Sequence, residues 1–303
     1  MLAWARALPP EGGFVDREAE LKIIRRAFAS QTMAAAGVVD RRVERAFATV
    51  KREAFLGKGP WPILRWNRGY APTPSRDPVY LYTDVLVGLI PERNLNNGQP
   101  SFHATLIAAA APKPGDHAVH VGAGVGYYTA ILRRLVGRTG RVTAIEFDPT
   151  LAARLKQNFA DAANVTVVQG DGAKVKFAPA QVIYVNAGAT RPADAWLDGL
   201  AEGGRLILPL TTNQGFLSAE ANAIQRRGGV FRIERGGDGF FARWISPVGI
   251  FPCDGARDEV SEQALATAFA KGGWERVTRL YRTNELPEEQ CWLRAPGWSL
   301  AYG

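Results

Sequence analysis

Val119-His120-Val121-Gly122-Ala123-Gly124-Val125-Gly126-Tyr127 decides the fold of this chain. A short apolar run ends in three glycines at alternate positions, and an apolar helical pattern follows through Leu135. That order is a buried strand, a tight turn and a helix, with the turn at the carboxyl end of the strand. Glycines there let the backbone approach a ligand, and the helix start offers free N–H groups and a positive dipole end. The spacing is G-x-G-x-G, without the third-glycine offset of the dinucleotide fingerprint, so an NAD-dependent dehydrogenase is disfavoured. Taken alone, the same turn also serves tight helix–strand packing.

Working outward, the chain alternates strand and helix. Strands are expected at His117–Val121, Arg141–Phe147, Val165–Gln169, Val182–Asn186 and Arg205–Leu210, with a helix at Pro149–Ala160. Such alternation specifies a parallel sheet covered on both faces, and right-handed crossovers make it doubly wound. Two short runs follow, Val230–Glu234 and Phe240–Ile250, and read as an antiparallel hairpin closing the sheet. Val260–Ala270 reads as a helix and Gln290–Tyr302 as a final strand. Ahead of the sheet, residues 16–56 are helical in pattern, residues 57–100 are irregular, and a helix spans Phe102–Ala111. Three regions result: 1–100 on the substrate side, 101–252 as the Rossmann-like domain, and 253–303 as an extension packed on it.

Composition narrows the classes. Apolar residues make up 47% of the 303 and charged residues 22%, which describes a chain able to bury a core. The net charge of +8 is dispersed in pairs such as Arg25-Arg26, Arg133-Arg134 and Arg226-Arg227, so it reads as solvated faces rather than a nucleic-acid footprint. Two distant cysteines, Cys253 and Cys291, do not make a disulfide framework and point to a reduced compartment. The stretch from Met1 lacks the pattern of a signal peptide, and no apolar run has membrane-spanning length, so a cytoplasmic location without membrane attachment is expected. The three histidines, His103, His117 and His120, form no metal-ligand spacing with the cysteines, and no metal is expected.

Candidate binding residues cluster at the strand ends. Glu146, twenty residues beyond Gly126, is placed to accept the hydroxyls of a ribose; the alternative is an ordinary strand-end acid. Gly170-Asp171-Gly172 ends the third strand at the edge where open α/β sheets bind ligands. There Asp171 either accepts from an adenine amino group or merely shapes a turn. Asn186, at the end of the fourth strand, either touches substrate or is a turn residue.

With these marks in place, residues 35–252 resemble the protein L-isoaspartate (D-aspartate) O-methyltransferase family. The likeness rests on Val43-Glu-Arg-Ala-Phe-Ala-Thr-Val-Lys-Arg-Glu-Ala-Phe55, Tyr82-Thr-Asp84 and Asn97-Gly98-Gln99-Pro100 before a helix. The glycine turn, Gly170-Asp171-Gly172 and Gly203-Gly204-Arg205-Leu-Ile-Leu-Pro209 complete it. The resemblance implies a seven-stranded Rossmann-like sheet whose last strand is antiparallel, with S-adenosylmethionine as methyl donor. It assigns Gly122, Gly124, Gly126, Glu146, Asp171, Gly172, His120 and His103 to the cofactor. Asn97, Gly98, Gln99, Pro100 and Asn186 go to the acceptor, a carboxylate of a protein or peptide.

Two positions depart from the family pattern. Members usually carry a Thr-Ile-Ser run whose serine belongs to the active site, and Gly98 stands in its place. His120 occupies a position that is usually acidic, where the acid helps hold the cofactor's ammonium group. His103 matches a histidine found near the cofactor in some members, or is a buried helix-face histidine. These departures keep a different carboxylate or small-molecule acceptor in play, and a non-catalytic homologue retaining the fold. Restoring the serine, Gly98→Ser, is expected to leave cofactor binding intact and raise isoaspartyl activity. A nucleic-acid acceptor is disfavoured because Asn186-Ala-Gly-Ala189 lacks the proline-aromatic clamp of amino-methylating enzymes.

Overall fold

The computed structural model describes residues 16–65, 68–212, 228–237 and 239–302. The stretch from Met1 and the Arg226-Arg227 pair lie outside them.

Three helices open the described chain: α1 (Arg17–Ala36), α2 (Arg41–Thr49) and α3 (Glu53–Leu56). Asp16 and Asp40 cap the first two by accepting from the N–H groups of Glu18 and Arg42. The irregular stretch holds two small hairpins, β1 (Pro62–Arg65) with β2 (Gly69–Pro72) and β3 (Gly88–Ile90) with β4 (Leu95–Asn96). α4 (Pro100–Ala110) follows, with proline at its first position where no backbone donor is lost.

The alternating part is β5 (His117–Val121), α5 (Tyr127–Val136), β6 (Arg141–Glu146), α6 (Pro149–Asn158), β7 (Val165–Gln169), β8 (Ala180–Val185), α7 (Asp194–Gly199) and β9 (Leu200–Thr211). Beyond it lie β10 (Gly228–Gly236), β11 (Gly239–Pro247), α8 (Glu259–Lys271), β12 (Val277–Tyr281), β13 (Cys291–Ala295) and β14 (Trp298–Tyr302).

The main sheet runs β13-β14-β12-β11-β10-β9-β8-β5-β6-β7. Strands β7, β6, β5, β8 and β9 are parallel, and every pairing from β9 outward is antiparallel. The doubly wound α/β class is as expected, but among the described residues the sheet has ten strands rather than seven. The hairpin of β10 and β11 does not close it, because β12 pairs with the outer side of β11. The segment expected as one final strand is itself a hairpin, β13 with β14, turned at Gly297. Short returns leave only antiparallel pairing available, whereas a parallel neighbour needs a long crossover.

Side chains of β5 alternate between two cores. Ala118 joins Val182, Ile207 and the inner faces of α1, α2, α4 and α5. Val119 and Val121 join Ile183, Leu206, Trp196 of α7 and Leu265 and Phe269 of α8. All five β5 residues are buried, as a central parallel strand requires. Among the described residues no helix is long and apolar enough to cross a membrane.

After β11 the chain does not leave the molecule. Val248–Cys253 crosses the carboxyl edge of the parallel strands, held where the Gly188 N–H donates to the Phe251 carbonyl (2.6 Å) and the Cys253 N–H to the Gly188 carbonyl (2.8 Å). This strap leads into α8 and the outer strands. Leu300, fully buried on β14, is paired with Leu280 and Leu293. Leu300→Ala is expected to destabilise the whole fold by about 2–5 kcal/mol in denaturant titration. A loss confined to a separate C-terminal transition would show that the outer strands fold independently.

Candidate functional site

A cavity of about 830 Å³ lies at the carboxyl end of β5, β6 and β8, under the strap and against the β3–β4 hairpin. Gly122 and Gly124 line it. Gly122 has φ +73°, and a Cβ there would stand 2.9 Å from the Asn186 carbonyl oxygen. The turn therefore reaches its position only as glycine. Gly126 serves a different end. It starts α5, does not line the cavity, and a Cβ there would meet the Phe159 ring at 2.4 Å, so it lets α5 sit on α6.

Glu146 ends β6 and is buried at the cavity wall. Its Oε2 accepts from the Gly124 N–H (2.6 Å) and its Oε1 from the Asp148 N–H (2.9 Å). Each carboxylate oxygen can accept twice, so one position on each remains for a ligand hydroxyl. Burial raises the Glu146 pKa against those two N–H bonds, which favour the charged form. Asp148 caps α6 through the N–H groups of Thr150 (2.8 Å) and Leu151 (3.0 Å) and pairs with Arg93 across the rim.

The opposite wall is formed by residues 95–99 with Phe102 and His103. The Gly98 N–H donates to Asn96 Oδ1 (2.8 Å), and the Tyr128 hydroxyl donates to the Gly98 carbonyl (3.3 Å). Asp84 fastens the start of α4, accepting from Gln99 Nε2, the Ser101 N–H (2.8 Å each) and the Ser101 hydroxyl (2.6 Å). That explains the sequence mark Tyr82-Thr-Asp84. Asn97 is buried on the cavity wall, and its Nδ2 has no hydrogen-bond partner among the described residues.

His103 projects from α4 into this wall. Its ring stacks on Tyr128 with centroids 3.6 Å apart, and Nδ1 lies 2.6 Å from the Tyr184 hydroxyl. Burial lowers the His103 pKa well below the usual imidazole range, helped by His120 and Arg52, so the ring is neutral. Burial also raises the Tyr184 pKa, so its hydroxyl keeps its proton. The only acceptor that the described residues give that proton is His103 Nδ1. A buried hydroxyl left unpaired costs about 1–3 kcal/mol, so Tyr184 donates and the histidine carries its proton on Nε2.

Of the sequence candidates, Gly122, Gly124, Glu146, Gly172, His103, Asn97, Gly98, Gln99 and Asn186 meet at this cavity. Asn186 Nδ2 also donates to the Gly122 carbonyl (3.4 Å). Four candidates do not line it: Gly126, His120, Asp171 and Pro100. His120 points to the other face of β5, as strand alternation dictates, with Nδ1 2.8 Å from the Thr129 hydroxyl. Burial there pushes its pKa down to about 3. It therefore cannot stand in for a cofactor-facing acid. Asp171 is folded back on its own turn: its Oδ1 accepts from the Ala173 N–H (3.0 Å), and it pairs with Lys174 (3.1 Å). A Cβ at Gly255 would fall 1.9 Å from that carboxylate, so the C-terminal segment covers it. Pro100 is buried in the first turn of α4.

Sequence reasoning missed Arg93, Phe147, Asp148 and the strap Val248–Pro252. Asp148-Pro149 carried a readable signal, a helix cap followed by proline. Arg93 and the strap carried none, since each reaches the site through tertiary packing alone. Among the described residues no group of histidine, cysteine and acidic side chains could hold a metal, and Cys253 and Cys291 are buried thiols.

A doubly wound sheet with a glycine turn after its first parallel strand and an acid ending the next is the class I S-adenosylmethionine methyltransferase fold. The comparisons with known proteins go further. The protein-L-isoaspartate(D-aspartate) O-methyltransferase family model matches residues 26–227, two thirds of the chain, and the chain belongs to that family. The protein-L-isoaspartate O-methyltransferase of Thermotoga maritima is 29% identical over 180 residues, 57% of this chain and 51% of that protein. That of Aeropyrum pernix is 31% identical over 201 residues, 65% of this chain and 68% of that one. The match thus spans about half the Thermotoga protein. A solved protein-L-isoaspartate O-methyltransferase has a TM-score of 0.60 at 24% identity, covering 75% of this chain and 65% of that one. The Plasmodium falciparum protein solved with S-adenosyl-L-homocysteine scores 0.57 at 17% identity, covering 76% and 97%.

The geometry reverses one expectation. Gly98 has φ +71°, and a Cβ there would fall 2.0 Å from His103 Nε2. The imidazole fills the space into which a serine at 98 would project. Gly98→Ser is therefore expected to destabilise the protein by about 1–3 kcal/mol and to lower activity, as thermal unfolding and a methyl-transfer assay would register. Unchanged stability with raised activity would show that the histidine moves aside freely.

Proposed function

We propose that this protein is an S-adenosylmethionine-dependent carboxyl O-methyltransferase acting on isoaspartyl residues of proteins or peptides. The observation that carries the reading is the Glu146 carboxylate, which faces the cavity with one acceptor position free on each oxygen beside the Gly122–Gly124 turn. A nucleoside fits that arrangement: Glu146 takes both ribose hydroxyls, and the turn has room for backbone approach. Phe147 and Leu151 line the same end, and Arg93 with Asp148 forms its rim. Bound S-adenosylmethionine supplies an electrophilic methyl group.

The protein has little further chemistry to perform. A free carboxyl group with a pKa near ~4 is already an anionic nucleophile at neutral pH. What the chain contributes is alignment, worth on the order of 7–11 kcal/mol in well-oriented systems, and exclusion of water. Leu86, Leu89, Leu95, Phe102, Ile250 and Phe251 enclose the cavity and supply that dry surface. A second reading is favoured by the strap, whose residues Val248–Pro252 line the cavity: the acceptor is a small-molecule carboxylate rather than a protein segment.

Three measurements test this. Glu146→Ala is expected to weaken S-adenosylmethionine binding in calorimetry by about tenfold or more, since hydrogen bonds to a charged group are worth about 1.5–3 kcal/mol each. Affinity retained without that carboxylate would remove the ribose assignment. Binding should also depend on pH with a definite sign. Ribose acceptance needs the charged carboxylate and burial favours the protonated one, so affinity is full above the raised pKa and declines as pH falls through it. The decline should begin above the ordinary glutamate range. Finally, radiolabelled methyl transfer to a peptide with one isoaspartyl residue should give a base-labile ester. Transfer to small carboxylates alone would select the second reading.

A further inference from the structure

We infer that the acceptor's carboxylate is held by His103, whose imidazole stands where a side chain at position 98 would project, through its Nε2–H, with the Asn97 side-chain amide as second donor. The inference rests on the proposed carboxylate acceptor and assigns the residues that hold it.

Three observations carry it. First, the ideal Cβ position at Gly98 lies 2.0 Å from His103 Nε2. The imidazole therefore occupies that volume, and the chain tolerates it because residue 98 has no side chain. Second, Tyr184 fixes the ring. Its hydroxyl donates to Nδ1 and the Tyr128 ring lies flat against the imidazole, so Nε2 carries the proton. Nε2 has no partner among the described residues, and His103 lines the cavity. Third, Asn97 Nδ2 on the same wall is a buried donor without a partner. Asn97 Nδ2 is a buried donor whose missing acceptor is costly, and with the cavity-lining His103 Nε2–H on the same wall it suits an anionic oxygen pair. A neutral imidazole suits this role, since it orients the carboxylate without transferring a proton to it and leaves an oxygen lone pair free to attack.

Tyr184 is then a positioning residue, acting only through the tautomer of His103.

The test uses the full chain saturated with S-adenosylhomocysteine and, as probe, a synthetic peptide containing one L-isoaspartyl residue. Nitrogen-15 spectra of the imidazoles should show His103 as the Nε2–H tautomer, with its Nε2 resonance moving when the peptide is added. An Nδ1–H tautomer, or a resonance unmoved at saturating peptide, overturns the inference. His103→Phe keeps a stacked ring and should raise the peptide KM about tenfold or more while leaving S-adenosylmethionine affinity within about threefold. His103→Gln, which restores a donor, should recover part of the loss. An unchanged KM with lost cofactor affinity would give the histidine to the cofactor and overturn the inference. Tyr184→Phe should mix the two tautomers in the spectrum, a change that a merely structural tyrosine would not cause. The two readings fail separately. Absence of methyl transfer with a peptide-induced Nε2 shift sinks only the proposed reaction, whereas transfer with an unmoved imidazole sinks only the assignment of the donor.

Discussion

Two backbone N–H groups, those of Gly124 and Asp148, converge on the Glu146 carboxylate, and the rest of the site is arranged around that convergence. One bond ties the end of β6 to the glycine turn after β5; the other ties it to the cap of α6. Each is a charge-assisted bond in a buried setting, where an unpaired carboxylate would be costly. Together they fix three neighbouring loops to one point at the open edge of the sheet. The floor of the cavity is set by this point and its far wall by the bonds that hold α4 to Asp84.

The central half of the molecule was legible because its signals are local. Apolar runs bounded by glycine and proline gave β5, β6 and β7 almost to the residue. The acid after the second parallel strand was identified for the same reason, since position along a strand determines which edge a residue reaches. His120 shows where this reasoning stops. Its place in the motif suggested the ligand, yet the two-residue period of β5 turns it into the helical core opposite. Asp171 fails for a different cause: Gly255, more than eighty residues away, lies against it.

The outer strands were harder to read. Nothing in Cys291–Tyr302 distinguishes one long strand from two short ones except Gly297, whose positive φ makes the turn. The hairpin of β10 and β11 looked terminal because sequence says nothing about what pairs with its far side. β12 does so only over Phe240–Leu280 and Phe241–Arg279, with the Arg279 guanidinium over the Phe241 ring at 4.0 Å. The exchange between Gly98 and His103 is tertiary in the same way. A missing side chain reads as a defect in the motif, and only the packing shows that another residue has taken the space.

The strap Val248–Cys253 is tethered at both ends, to β11 on one side and through α8 to the outer strands on the other. Its conformational freedom is therefore surrendered when the chain folds rather than when a small molecule arrives. A cavity roofed this way presents a nearly finished shape to its ligand, so recognition should involve little of the ordering entropy that a free flap imposes. The same preformed roof limits how bulky a visiting chain can be, which links the extent of the sheet's far edge to the choice of guest at its centre.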